Sequence, residues 1–521
     1  MAVRFDAVRV LPGAVATALV VLVTLGTVAA VAVRSDAAPG IGPSDWAAVR
    51  FTLLQAVLST VLSVCLAVPV ARALARRRFP GRGLLITLLG APFILPVIVA
   101  VLGLLAVFGR NGIVSDMLGW VGLGPINIYG LHGVVLAHVF LNMPLAVRLI
   151  LQGWMTIPAE RFRLAASLGF APRDVARTLE WPMLRAVLPG AALVIFLICT
   201  TSFAVALALG GGPRGTTVEL AIYQAFRFEF DLGKAALLSL IQFAICAGAA
   251  VLVYRVALPS GLGGGMDRTV QVWGVRSVGL RAVDLVAVVG AALFLLTPLA
   301  VLVADGAPAL LSLPEPVLWA SLRSLAVALA AAALTVFLAL SMALLAQHSR
   351  RSVSGLVEGI GALSIAVSPL VVGTGLFIVL FPLTDPVALA LPVTVLVNAV
   401  MSLPFAMRAI APALAETEVV YGRLADSLGM TGGARLRLLI LPRLARPIGF
   451  SAGLAAALSM GDLGVIALFA DPDQATLPMQ LYRLMAAYRL EDAAGAALLL
   501  LGLSLGLFWL FDRGGRMRAA A

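Results

Sequence analysis

Twelve runs of about 20 mostly apolar residues govern what this chain can become, because that is the length a helix needs to cross a bilayer. They extend roughly over 12–33, 47–71, 84–108, 129–152, 188–210, 234–257, 281–304, 316–346, 355–381, 387–411, 447–470 and 492–511. In lipid, backbone groups must be bonded within their own segment unless a barrel closes, so each run reads as a helix. Only 12% of residues are charged, against about 25% in soluble proteins. The expected fold is therefore an all-α membrane protein of about twelve transmembrane helices. The first run exceeds the usual apolar stretch of a signal peptide, about 7 to 15 residues, and reads as a retained span.

Six runs fall in each half, and the halves repeat at a spacing of 260 residues. Arg163-Leu164-Ala165-Ala166-Ser167-Leu168-Gly169 recurs as Arg423-Leu424-Ala425-Asp426-Ser427-Leu428-Gly429. Pro144, Ala146, Arg148 and Ile150 return as Pro404, Ala406, Arg408 and Ile410, and Pro182 returns as Pro442. An even number of spans per half gives both halves the same orientation, so the repeat is parallel. The expected division is a first repeat over 1–258, a Gly-rich linker over 259–280 and a second repeat over 281–521. Most of the 37 basic residues cluster in alternate loops, which the positive-inside rule assigns, with both termini, to the cytoplasm. The net charge of +12 thus follows from topology and does not indicate nucleic acid.

The best-matched stretches lie between spans, in loops 154–187 and 412–446. The first is amphipathic, with Ala165, Leu168, Val175 and Leu179 set among Arg161, Arg163, Arg173, Asp174 and Arg177, and offers a short helix to a partner. Gly169 and Gly429 allow either a sharp turn or close approach of a partner's backbone. Each is followed after 13 residues by a proline, Pro182 or Pro442, which sets up the next helix. A merely solvated arginine-rich loop would not need glycine and proline at matched spacing.

The spacing of Ala165, Gly169, Leu179 and Pro182, matched by Ala425, Gly429, Leu439 and Pro442, resembles the EAA signature of permease subunits in bacterial ABC importers. The resemblance implies a type I importer permease fold, with a coupling helix in each loop docking on a cytoplasmic ABC ATPase. Two loops imply two ATPase copies. It assigns coupling to Arg163, Leu164, Ala165, Ser167, Gly169 and Pro182, and to Arg423, Leu424, Ala425, Ser427, Gly429 and Pro442. Arg163-Leu164 and Arg423-Leu424 stand where that family has Glu-Ala, so no salt bridge from the glutamate carries over.

A second resemblance narrows the substrate. Phe203-Ala204-Val205-Ala206-Leu207-Ala208-Leu209-Gly210-Gly211-Gly212-Pro213 and the Thr216-Thr217-Val218-Glu219-Leu220 that follows are similar to the permease of thiamine and thiamine pyrophosphate importers. So are Met460-Gly461-Asp462-Leu463-Gly464 and the later Leu481-Tyr482. This implies a bacterial inner-membrane protein supplied with thiamine, or its phosphate esters, by a periplasmic substrate-binding protein. Ferric-iron permeases share the fused two-loop layout and are the nearest alternative. An ion-coupled secondary transporter is the alternative from another class, but it needs titratable groups in mid-membrane, where this chain has few.

The sole lysine, Lys234, is followed by Ala235 and Ala236, so no P-loop is present. The chain is expected to hold no cofactor, metal or catalytic residue, with ATP and magnesium on the partner ATPase and lipid around the spans. Transport is expected to proceed by alternating access. Because thiamine is cationic, Asp462 in the eleventh span and Glu219 just beyond the fifth are candidate pathway residues, together with Thr201, Ser202 and Ser459. Asp462 reads alternatively as a helix cap or a partner of Ser459. His138 is expected to make an interhelical hydrogen bond, and Arg148 and Arg408 to snorkel. Glu219, Glu229, Asp231, Asp471, Asp473 and Glu491 are expected in outside loops, either solvated or facing the binding protein.

Overall fold

The computed structural model describes residues 7–35, 40–90, 94–212, 215–255, 278–469 and 472–520. Pro213, Asp471 and most of the expected linker, 259–277, lie outside them. The described residues form helices joined by turns and loops. Eleven helices are long and apolar enough to span: Leu11–Ser35, Pro43–Arg76, Val97–Trp120, Leu131–Thr156, Pro172–Thr200, Leu232–Val253, Val278–Ser312, Glu315–His348, Ala390–Ser427, Ala445–Phe469 and Leu490–Arg518. A bent pair, Arg351–Ala366 with Pro369–Leu380, makes up to twelve. In chain order these are spans 1 to 12, the bent pair being span 9.

Proline breaks two of the expected runs. Run 355–381 bends by 96° before Pro369, where Ser368 is extended (φ −80°, ψ 152°) and accepts from the Val371 N–H at 3.2 Å. A residue before proline is driven out of the helical region, and a serine hydroxyl then caps the new helix. Run 84–108 also divides, into Arg82–Leu88 and a span that starts at Val97, with Pro96 (φ −58°, ψ 130°) just before it and no side-chain cap. Run 387–411, by contrast, continues to Ser427 as a single helix of 38 residues, carrying Pro404 and Pro412 inside it.

Packing groups residues 1–45, 218–247 and 306–521 into one compact unit, and 46–217 and 248–305 into another. In the first unit, span 1 packs directly on backbone of spans 8 and 9. A Cβ at Gly13 would meet the Ser341 carbonyl oxygen at 2.5 Å, and one at Gly375 would meet the Thr27 carbonyl oxygen at 2.6 Å. In the second unit, span 7 packs on span 3 by the same device, since a Cβ at Gly103 would meet the Pro298 carbonyl oxygen at 2.9 Å. Phe294 of span 7 also meets Phe140 edge to face at 5.7 Å. The opening span of each half thus packs among spans of the other, through the small-residue contacts that draw helices together where lipid supplies no hydrophobic drive.

Candidate coupling loops and pathway residues

The two repeated loops fold alike at their glycines. Helix Ala159–Ser167 ends at Gly169 (φ +70°), where the Gly169 N–H donates to the Ala166 carbonyl at 3.1 Å and the Phe170 N–H to the Ala165 carbonyl at 3.0 Å. Span 10 ends at Gly429 (φ +66°), with Gly429 N–H to the Asp426 carbonyl at 3.1 Å and Met430 N–H to the Ala425 carbonyl at 2.9 Å. This pair of bonds is the Schellman closure, which requires a left-handed residue and hence favours glycine. Ser167 and Ser427 donate to the carbonyls of Leu164 and Leu424 at 2.9 and 2.8 Å, so each exposed hydroxyl bonds its own helix backbone in both loops.

What each loop leaves outward also matches. Ala165 and Ala425 are buried, while Leu164 and Leu168 are 59% and 62% exposed, and Leu424 and Leu428 are 56% and 66% exposed. Arg163 and Arg423 are exposed beside them. Nothing lies within 4 Å of where a Cβ on Gly169 or Gly429 would sit. Each loop therefore presents two leucines, an arginine and a bare backbone turn to its surroundings.

Each proline sits at the start of an α-helical stretch, Trp181–Thr200 or Leu441–Arg443, but that stretch is not preceded by a loop. The chain runs on helically through a π turn, Ala176–Glu180 or Leu436–Ile440, and Pro182 or Pro442 follows two residues later. Proline lacks the N–H that would bond the carbonyl four residues back, and a π turn is one way for a helix to absorb that missing bond.

The candidate pathway residues are divided between the units. In the first, span 11 breaks between Met460 and Gly464, and Asp462 sits in the break. Its Oδ1 accepts from the Gly464 N–H at 3.2 Å, the geometry of a helix cap, and its buried Oδ2 has no partner among the described residues. Ser459 accepts instead from Asn398 Nδ2 at 2.9 Å. Glu219 belongs to the same unit but is no solvated loop residue: it lies on helix Val218–Arg227, is 1% exposed, and accepts from Gln242 Nε2 at 3.3 Å. Burial raises its carboxyl to about 7, against the opposing pull of hydrogen bonds from Ser368 and Gln242. In the second unit, Thr201 and Ser202 occupy the matching break, between Thr200 and Phe203, and Thr201 donates back to the Leu197 carbonyl at 3.2 Å. His138 Nδ1 lies 3.3 Å from Ser59 Oγ on span 2, so the expected interhelical bond is present.

The chain is 39% identical to the thiamine transport system permease protein ThiP of Brucella abortus over 528 residues, covering 99% of this chain and 97% of that protein. It belongs to the ThiP family of transport permeases. The ThiP of Salmonella typhimurium is 40% identical across 96% of both chains. The molybdenum transport system permease protein ModB of Azotobacter vinelandii is 30% identical over 34% of this chain, a likeness confined to part of its length. No family model matches the chain. Among solved structures, a bacterial ABC transporter that imports the acidic polysaccharide alginate is similar over 44% of the chain at 16% identity and a TM-score of 0.37, too slight to place a residue. Family membership makes the chain a transport permease subunit in a bacterial inner membrane, not an enzyme.

Two sets of ionic contacts that hold the permease's loops were missed from sequence. Glu180, 3% exposed, closes the first loop against span 2 by pairing with Arg72 at 3.1 Å and with Arg76. In the second loop Arg435 pairs with Glu418 and, at 2.6 Å, with Asp426. Glu180 lies 104 residues from Arg76, a separation no local pattern reveals. The Glu418–Arg435 pair carried a weaker signal, two opposite charges flanking one turn.

Proposed function

We propose that this chain is the membrane subunit through which thiamine, and its phosphate esters, crosses the inner membrane by alternating access. Two copies of a separate cytoplasmic ABC ATPase grip loops 154–187 and 412–446, one loop from each repeat, with repeats 1–258 and 281–521 joined by linker 259–280. A periplasmic binding protein delivers the cargo, and both termini face the cytoplasm. The observation that carries the coupling part is the duplicated knob: a glycine-closed helix end displaying two leucines and an arginine, built twice from the same hydrogen bonds. Exposed apolar side chains rimmed by charge are what a partner groove covers. Arg163, Leu164, Ala165, Ser167, Gly169 and Pro182, with their counterparts Arg423, Leu424, Ala425, Ser427, Gly429 and Pro442, form these knobs.

The cargo reading is supported by near-full-length identity to proteins named for thiamine transport. Asp462 Oδ2, a buried acceptor with no partner among the described residues, suits a passing cation, as does the polar pair of Ser459 and Asn398 beside it. Glu219, Thr201 and Ser202 complete the proposed path. The test is ATP turnover by the reconstituted permease and ATPase with the cognate binding protein. Thiamine should stimulate turnover and ferric iron should not; stimulation by iron alone would remove the cargo assignment.

A further inference from the structure

The two repeats treat one pair of matched arginines differently. Arg148 and Arg408 each stand four residues after the buried proline of their helix. In the first repeat Arg148 is half-buried over Gly90, so close that a Cβ there would come within 2.3 Å of its Nη1. The counterpart of Gly90 is Ala362, because Leu84, Leu85, Leu88 and Leu89 share the exposure pattern of Leu356, Val357, Ile360 and Gly361 at an offset of 272. That alanine carries the methyl which Arg148's seat excludes. Arg408 is accordingly exposed and has no hydrogen bond or ion pair among the described residues.

Beside it lies a cavity of about 430 Å³, within the range of small-molecule sites, at the end of spans 8 and 10 that leads to the repeated loop. Arg408, Glu358, Gln347 and Ser354 converge on it, and its remaining wall is mostly alanine, glycine and proline with Met407. Among the described residues Glu358 is engaged only by Ser354 Oγ at 3.4 Å, a weak contact. Among the described residues, the cavity wall thus offers one guanidinium without a carboxylate, one carboxylate without a cation, and otherwise mostly apolar surface. A guanidinium is the side chain best shaped to take phosphate through two parallel hydrogen bonds.

We propose that this cavity binds a small molecule bearing both a phosphate and a cationic group, the phosphate on Arg408 and the cation toward Glu358. Two sources share that chemistry: a phosphate ester of thiamine, an assignment that rests on the proposed cargo, and the headgroup of a zwitterionic phospholipid. In the first repeat the matching arginine, Arg148, is instead packed over Gly90.

The experiment is equilibrium binding of thiamine diphosphate, thiamine and inorganic pyrophosphate to the full permease in nanodiscs of phosphatidylglycerol. Thiamine diphosphate should bind more tightly than either fragment. Arg408→Ala should weaken it at least tenfold, and Ala362→Leu, which fills the cavity, should abolish it. Glu358→Gln should weaken thiamine diphosphate while leaving pyrophosphate unchanged. Unaltered binding in both Arg408→Ala and Ala362→Leu would overturn the site. Phosphatidylethanolamine that is retained through purification by the wild type, lost from Ala362→Leu and not displaced by thiamine diphosphate would give the cavity to lipid and overturn the soluble ligand. If these variants bind normally while thiamine still drives ATP turnover, the cavity assignment fails and the transport reading stands.

Discussion

Arg435 holds Glu418 through two hydrogen bonds, Nε to Oε1 at 3.1 Å and Nη2 to Oε2, and so ties the far side of the second repeated turn back to span 10. The two side chains are 12% and 10% exposed, so solvent screens the pair less than an open surface bridge. Their counterparts in the first loop are Val175 and Pro158, an apolar residue and a helix-starting one, so the two knobs share a shape but are braced by different physics. Arg435→Ala is expected to cost about 1.5 kcal/mol locally, since hydrogen bonds to charged groups fall in that range. Amide exchange over 428–436 should quicken roughly tenfold, with 168–176 unchanged. Equal protection of wild type and variant over 428–436 would show that the bridge does not brace the loop.

Gly169 and Gly429 combine a left-handed backbone with open space in front of them, and two substitutions separate these properties. Gly169→Ala adds only strain, about 1 kcal/mol, and should leave partner binding nearly intact. Arg at both positions adds the same strain and a bulky cation where the partner must sit. The double Gly→Arg variant should lose the ATPase in copurification while its melting temperature stays within a few degrees of the Gly→Ala pair. Normal copurification by the arginine variant would mean that the knobs are not the grip.

The glycine turns of the two repeated loops could be read from sequence because their cause is local: a glycine with the residues on either side sets the closure wherever the helix is placed. Span positions could be read for the same reason, as each run is apolar over its own length. The bend before Pro369 had a visible cause, but Pro404 and Pro412 carry the same residue inside an unbroken helix, so proline alone did not decide the outcome. The burial of Glu219 escaped notice because its neighbours in sequence resemble a loop, and its partners, Gln242 and Ser368, come from distant segments. The exchange of opening spans between halves left no mark beyond isolated glycines, whose meaning depends on which backbone lies opposite.

Those glycines can be tested directly. A side chain at Gly375 would drive into Thr27, with its Cβ only 2.5 Å away, and the atoms met include backbone, which cannot step aside. Gly103 faces the Pro298 backbone at 2.9 Å, a slightly looser fit. Overpacking of this kind costs about 1–3 kcal/mol. Gly375→Val should therefore lower the melting temperature of the purified permease more than Gly103→Ala does, and both more than Gly502→Ala, at a glycine with open space around it. If all three melt together, span 1 does not pack on span 9 as described.

Glu219 makes stability depend on pH in a direction opposite to that of an ordinary surface carboxylate. Its folded value of about 7 lies above the unfolded value of about 4.3. Between the two, the folded chain keeps a proton that the unfolded chain has released, so stability falls as pH rises through this window and levels off above it. The slope from this one group is at most about 1.4 kcal/mol per pH unit. Glu219→Gln keeps the shape and hydrogen-bonding capacity but has no proton to lose. The melting temperature of the wild type, relative to Glu219→Gln, should therefore drop steadily from pH 5 to pH 7 and stay constant from pH 8 upward. A gap that does not change between pH 5 and pH 8 would mean that Glu219 is ionised in the folded permease throughout.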